Sequence, residues 1–345
     1  MGAGTHMSNI RKVILIILSV LSLMVIGAYA FLQVQLGRIN RVTAGETEFT
    51  TEDFDEDTDA PDSISDSSLD WGEANHIEPQ EGVINVLLVG QDTRQEGERA
   101  RSDTMIILSI DSENNRLSMV SLMRDLYVEI PGYSNNKLNS AYRFGGFELL
   151  DATIAQNFGI QIDYNVEVDF DGFREVIDAV GGIDVTLTED EVAYMSGEST
   201  YGRRHNNTPQ SGLVVGENHL DGEAALVYAR IRYVSTASGA HDDYGRTERQ
   251  RIVIQQVFQQ LKDQPWTDLL GIYDSVAGAL TTDMTNDEIL SIALTAYNLG
   301  VDSIEEYRVP EDGSYSGESI RGMSVLVPND WDVLRANLQE FIYGA

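Results

Sequence analysis

Cysteine is absent from all 345 residues, and lysine is nearly so: only Lys12, Lys137 and Lys262 occur. The first absence excludes disulfides, thiolate metal sites and cysteine nucleophiles. Positive charge is scarce altogether, with 23 Lys and Arg against 56 Asp and Glu and a formal net charge of −33. With no basic surface to offset the acid, a nucleic-acid partner is excluded. Taken by itself the bulk charge describes an acidic surface and carries no activity. Hydrophobic residues make up 42% of the chain, enough for a packed core in one large domain or two ordinary ones.

Long uncharged runs are also scarce. One occurs, at 13–32, from Val13 to Leu32. Its length of about 20 residues suffices to cross the roughly 30 Å hydrocarbon layer as a helix. Arg11 and Lys12 precede it, which sets the N-terminus in the cytoplasm, although Arg38 and Arg41 on the far side work against that orientation. The competing reading is a signal peptide cleaved after Ala28-Tyr29-Ala30. Both readings put the remaining chain outside the cytoplasmic membrane. Residues 1–7 read as a cloning remnant and start, and 8–12 as a short cytoplasmic tail. Residues 33–82 read as a disordered linker. Between Thr43 and Gly82 there is no Lys or Arg, and Asp, Glu, Ser and Thr dominate. Such a stretch is expected to stay solvated and self-repelling, a spacer lifting the domain off the membrane.

Residues 83–345 form the expected folded domain. Val83–Gly90 is a nearly continuous apolar run, suited to a strand buried on both faces. Further strands are expected at Thr104–Ile110, Leu117–Leu122, Asn165–Phe170, Ile183–Leu187, Ile304–Val309 and Met323–Val327. Helices are expected at Phe147–Phe158, Phe173–Val180, Asp221–Tyr228, from Gly245, and at Asp268–Leu280, Asn286–Leu299 and Asn329–Phe341. Glu189–Gly216 reads as a polar surface excursion. Strands alternating with helices predict a layered α/β domain.

Against the acidic background, Arg230 to Arg251 concentrates five arginines. Arg230 and Arg232 would share one face of an extended chain, with Ile231 on the other. Arg246 and Arg249 would share a face of a starting helix, where cations are unfavourable unless an anion docks there. Pairing with Asp242, Asp243 and Glu248 is the alternative. Expected strand ends add Asp92 with Arg94, Arg101 with Asp103, and Arg124 with Asp125. The crevice beyond strand ends is where layered α/β folds bind ligands. Mixed arginine and aspartate suits metal-assisted phosphoryl chemistry: carboxylates hold a hard divalent cation, and guanidiniums take phosphate oxygens. No P-loop glycine pattern is present. The histidines are scattered, and His241 beside Asp242-Asp243 is the one to watch.

The ordered segments Asn85–Arg94, Arg101–Met105, Met119–Asp125, Asn136–Tyr142, Asp178–Val185, Asp221–Arg232 and Asp243–Gln250 resemble the LytR–CpsA–Psr family of cell-wall glycopolymer ligases. The likeness covers most of Val83 to Leu261, with a looser fit after it. Met123 stands where the family often has proline. The resemblance implies an α-β-α domain with a central mixed sheet flanked by helices, preceded by one N-terminal transmembrane helix. It implies transfer of a glycopolymer, such as teichoic acid or capsular polysaccharide, from a polyprenyl-diphosphate carrier to a peptidoglycan hydroxyl. The enzyme would be a single-pass protein of the cell membrane with its catalytic domain outside. By position, Asp92, Asp103 and Asp243 would hold Mg²⁺ or Mn²⁺. Arg94, Arg101, Arg124, Arg230, Arg232 and Arg246 would grip the diphosphate, with Lys137 and Asn139 at the pocket edge. Arg94, Arg124, Arg230, Arg232 and Asp103 are the expected catalytic set, and Asp103 or Asp243 the candidate base. A prenyl chain would lie in an apolar cavity between sheet and helices. The alternatives are a polyprenyl-diphosphate phosphatase using water, and a non-catalytic lipid-diphosphate adaptor.

Overall fold

The apolar runs beginning at Val83 form the centre of a sheet. The computed structural model describes residues 33–34, 36–42, 64–72, 80–91, 101–200, 202 and 208–344. In chain order the strands are β1 (Asn40–Arg41), β2 (Val83–Gln91), β3 (Ser102–Asp111), β4 (Arg116–Leu122), β5 (Tyr127–Val128), β6 (Asn136–Lys137) and β7 (Tyr164–Val168). They continue with β8 (Ile183–Leu187), β9 (Gly216–Leu220), β10 (Leu280–Thr282), β11 (Glu305–Val309), β12 (Tyr315–Ile320) and β13 (Met323–Pro328). The α-helices are α1 (Leu138–Phe158), α2 (Phe170–Ala179), α3 (Glu189–Met195) and α4 (Gly222–Ala229). They are followed by α5 (Asp242–Leu261), α6 (Trp266–Val276), α7 (Asn286–Asn298) and α8 (Trp331–Tyr343).

Seven strands make one mixed sheet in the order β1-β10-β7-β2-β3-β4-β11. Its centre, β2-β3-β4, is antiparallel, whereas β7 and β11 run parallel to β2 and β4. Alternation sorts the side chains into two cores. Leu87, Val89, Met105, Ile107, Val120 and Leu122 face α1 and α8. Ile106, Ile110, Leu117 and Met119 face the other way, toward Ile254 and Phe258 of α5 and Ile292 of α7. The expected α-β-α layering is therefore present.

Four departures follow from tertiary context. Ile183–Leu187 is a strand, but it pairs with β9 in a separate hairpin, and its alternating burial suits that one-sided role. Met323–Pro328 likewise pairs with β12 outside the main sheet. The supposed surface excursion opens with α3, started by a capping box between Thr188 and Glu191, and buries Glu191, Tyr194 and Met195. Helix α1 starts nine residues earlier than expected and kinks at Gly145–Gly146, where Gly146 takes φ 60° and ψ −149°.

The described parts of the expected disordered linker, 33–82, pack on the domain, before the Thr43–Gly82 spacer and within it. Arg41 donates to the Met284 carbonyl, and β1 pairs in parallel with β10. Leu36 and Ile39 are buried. Trp71 packs against Tyr127 and Trp331, with ring centroids 6.2 and 5.8 Å apart. Leu36 and Ile39, in an acid-free stretch with Arg38 and Arg41, and Trp71, among acids, hold these pieces to the domain. Residues 13–32 lie outside the described residues, among which no helix is long and apolar enough to cross a membrane.

Candidate active site

Strand direction brings the charged residues together. The C-terminal ends of β2, β4 and β7 lie beside the N-terminal end of β3, because Gly90 registers with Thr104 and Val168. Asp103 therefore sits at the same sheet edge as Arg124. The N-terminus of α5 reaches this edge and adds Asp243 and Arg246. Arg232 arrives from the segment after α4.

The contacts are close. Arg124 Nη1 donates to Asp103 Oδ1. Arg124 Nε is 3.5 Å from Asp243 Oδ1 and 3.4 Å from Asp125 Oδ2. Arg232 Nε is 3.4 Å from Asp243 Oδ1, and Arg246 Nη2 is 2.9 Å from it. Arg246 Nη2 also donates to the Asp103 carbonyl at 3.0 Å. Three guanidiniums thus surround two carboxylates, with Asp125 at the margin. The donors are not exhausted: Arg124 Nε and Arg246 Nε are buried and make no hydrogen bond among the described residues. Buried donors left so are costly and call for an acceptor.

The charges set the protonation states. Burial alone would raise the pKa of Asp103, but Arg124, Arg246 and Arg232 outweigh it and hold the carboxyl below its ordinary range. Burial works against the Arg124 charge, yet Asp243, Asp103 and Asp125 push its pKa up. Arg246 is driven down by its burial and by Arg124 and Arg232, against the pull of Asp243 and Asp103. A guanidinium cannot lose its proton here, so that conflict is unspent affinity for an anion.

An apolar cavity of about 550 Å³ opens beside this cluster. It runs between the α5 face of the sheet and α2, α4 and α5, lined by Leu88, Ile106, Phe173, Val176, Leu226 and Val257. Asp103, Arg230, Arg232 and Arg246 line it as well. Its wall depends on tight packing. Gly222 sits where a Cβ would meet the Arg174 carbonyl oxygen at 2.4 Å, so α4 can lie against α2. Asp178 Oδ1 accepts from Gly222 N at 2.7 Å, and Asp221 caps α4. Those two aspartates of the sequence motifs shape the wall.

The expected residues separate by position. Asp103, Arg124, Arg232, Asp243 and Arg246 converge. Arg230 does not share an extended face with Arg232: it is the C-cap of α4, in helical conformation, because the helix runs one residue past Tyr228. Its guanidinium lies 4.2 Å over the Phe170 ring at the cavity. Lys137 lies behind the cluster, 3.2 Å from Asp125 Oδ1. Asn139 is buried, and its backbone N–H donates to the Arg124 carbonyl at 3.2 Å. These two brace the Arg124–Asp125 turn. Arg101 immediately precedes β3. Asp92 and Arg94 lie outside the described residues. His241 is exposed and binds Asp242, away from the cluster. Arg249 turns the other way: it is fully buried and ion-paired with Glu191 at 2.8 Å. The sequence signal for Glu191 was its place three residues after Thr188.

The LytR_cpsA_psr family matches residues 47–337 of this chain. The chain belongs to that family. Among curated relatives, the polyisoprenyl-teichoic acid–peptidoglycan teichoic acid transferase TagU of Enterococcus faecalis is 36% identical over 226 residues, 64% of this chain and 66% of that protein. That match spans just under two thirds of the relative's length. The TagU of Oceanobacillus iheyensis is 31% identical over 272 residues, 77% of each chain. A solved LytR-CPS2A-psr family structure, YwtF (TagT) with bound octaprenyl pyrophosphate lipid, shares the fold with a TM-score of 0.57. It is 23% identical and covers 81% of this chain and 99% of its own.

Carboxylate oxygens are suitable donors for a hard cation. Asp243 Oδ1 makes no hydrogen bond among the described residues, but nitrogens of Arg246, Arg232 and Arg124 lie 2.9, 3.4 and 3.5 Å from it, so a cation at that atom would share it with three guanidiniums. Among the described residues no group of three or more acidic or imidazole ligands is assembled. A cation there would hold few protein ligands and complete its shell from substrate oxygens and water.

Proposed function

We propose that this protein transfers a glycopolymer from a polyprenyl-diphosphate carrier to a peptidoglycan hydroxyl, releasing polyprenyl phosphate. The supporting observation is an apolar cavity that Arg230, Arg232 and Arg246 also line, with Arg124 beside them through Asp103 and Asp243; Arg124 and Arg246 each keep a buried Nε without a hydrogen bond among the described residues. A prenyl chain matches the cavity and a diphosphate matches the mouth. The relatives' transferase names point the same way, as does the lipid held in the YwtF structure.

Arg124, Arg232 and Arg246 bind the diphosphate and neutralise charge that grows on its oxygens as the bridging P–O bond breaks. The acceptor oxygen bonds to the phosphorus carrying the glycopolymer, and its proton passes to Asp243 or Asp103. Asp103 is held ionised by the arginines. Asp103 and Asp243, with Asp92, would hold Mg²⁺ or Mn²⁺. When bound, the cation supplies further charge stabilisation at the phosphate oxygens. Residues 13–32 would anchor the protein as a single pass, with the catalytic domain outside the cytoplasmic membrane.

Arg124→Ala tests the reading. Release of polyprenyl phosphate from a diphosphate-linked donor, with peptidoglycan and Mg²⁺, should fall by about two to three orders of magnitude. Turnover matching the parent protein overturns it. EDTA should abolish release and Mg²⁺ restore it; turnover that survives chelation removes the metal from the scheme.

A further inference from the structure

A second cleft lies on the other side of the α5 N-terminus. Its volume is about 630 Å³. Consecutive residues divide the two spaces. Asp243 faces the arginines, whereas Tyr244, about 100° further around the helix, lines the second cleft. The opposite wall comes from β11 and the turn after it. Strand β11 is the parallel neighbour of β4, and Met123 N, next to Arg124, donates to the Val309 carbonyl at 2.9 Å. The cleft therefore adjoins the phosphoryl site while staying outside the prenyl cavity.

Its chemistry is unlike that of the arginine mouth. Three half-buried tyrosines, Tyr244, Tyr307 and Tyr315, line it. Tyr244 and Tyr315 stack at 5.6 Å, and Arg308 lies 4.5 Å over the Tyr244 ring. Four carboxylates, Glu248, Glu306, Glu311 and Asp312, face two guanidiniums, Arg251 and Arg308. The local balance is acidic, so a diphosphate is repelled here and drawn to the other side. The carboxylates are held in place: Glu306 by Arg251 at 3.0 Å, Asp312 by Arg308, and Glu248 by Ser238 at 2.6 Å. Each keeps lone pairs to accept from a ligand. Tyr244 is met by Tyr315 and Arg308, and Tyr307 stacks on Phe341 at 4.9 Å, so Tyr315 is the ring best placed to meet the C–H face of an uncharged polyhydroxylated ring whose hydroxyls donate to the anchored carboxylates.

We infer that this cleft binds the saccharide acceptor and presents its hydroxyl to the diphosphate across the first turn of α5. The inference rests on the proposed transfer and names where its second substrate sits. The shared chemistry, a saccharide, could also come from the donor's own glycopolymer, so the test has an arm for each source.

The full chain is assayed with a diphosphate-linked donor and soluble, uncrosslinked glycan strands of alternating N-acetylhexosamines. Tyr315→Ala, and separately the exposed pair Glu311→Gln with Asp312→Asn, should each raise the acceptor KM roughly tenfold. The Kd for a donor analogue should stay within about twofold, and Tyr315→Phe should keep the parent KM. The carboxamide pair covers the case in which Tyr315→Ala fails to fold. An unchanged acceptor KM in both variants overturns the inference. Weakened donor binding in place of weakened acceptor binding also overturns it, and assigns the cleft to the donor's sugars. If the parent transfers nothing, the functional reading fails separately. Calorimetry with the glycan strands then decides the cleft: binding by the parent that Tyr315→Ala loses supports it, and no binding by the parent overturns it.

Discussion

Arg246 and Arg249 lie one turn apart on α5 and have opposite fates. Arg249 is saturated by the protein. Its Nε pairs with Glu191, and its two terminal nitrogens donate to the Ile231 and Val234 carbonyls at 3.1 and 2.9 Å. Arg246 shares two carboxylates with Arg124 and Arg232 and keeps a buried Nε without a hydrogen bond. One guanidinium ties α5 to α3 and to the loop after α4. The other is left with capacity that only something outside the protein can use. A binding arginine differs from a structural one in how many of its donors the fold has already spent.

That contrast can be broken at either end. The largest effect should come from Glu191→Ala, which strands Arg249 in the core and should cost about 3–5 kcal/mol of stability. Chemical denaturation measures it; a loss below about 1 kcal/mol would make Arg249 no more structural than a surface residue. Next is Arg232→Ala, whose side chain is 36% exposed. It should lower transfer by about a hundredfold or more, while stability moves by no more than about 1 kcal/mol. A variant that unfolds instead of losing turnover would erase the distinction.

A half-buried carboxylate with no cationic partner among the described residues sharpens the comparison further. Asp151 and Asp283 both accept from Asn165 Nδ2, each at 2.8 Å. Burial, helped by the Asp283 charge and opposed by the Asn165 hydrogen bond, pushes Asp151 up to about 7. Between about pH 4 and 7 the folded protein then holds a proton that the unfolded chain has released. Stability should fall as pH rises through that window and level off above it. Asp151→Asn should flatten the slope; an unchanged slope would show that Asp151 ionises normally. The smallest effect belongs to Arg38 and Asp274, an ion pair whose side chains are 56% and 38% exposed. Arg38→Ala should cost at most about 1 kcal/mol, lost in high salt.

What the sequence made legible follows the range of the forces involved. Strands β2 to β4 were readable because nearly continuous apolar runs encode burial on both faces locally. The convergence of Asp103, Arg124 and Arg246 was readable from charges at strand ends and a helix start, and Asp243 joined them through the family resemblance. The Glu191–Arg249 pair spans 58 residues and has no local periodicity. Arg230 was misplaced because one extra helical residue changes which way a side chain leaves the chain. Strand β10 has three residues, and only its pairing with β7 and β1 makes it a strand. The Tyr244 cleft is built from α5, β11 and β12, and no single segment announces it.

The pairing of β1 with β10 sets a tether length. Leu280, the first residue of β10, lines the apolar cavity, and Asn40 pairs with Thr281 beside it. If 13–32 crosses the bilayer, only residues 33–39 separate the span from the sheet. Seven residues reach at most about 25 Å fully extended. Gln33, Arg38 and Arg41 are already tied to Asp287, Asp274 and Asn286, which shortens the leash. The cavity wall would then ride close above the lipid headgroups, and a carrier lipid could enter it without its tail crossing much water.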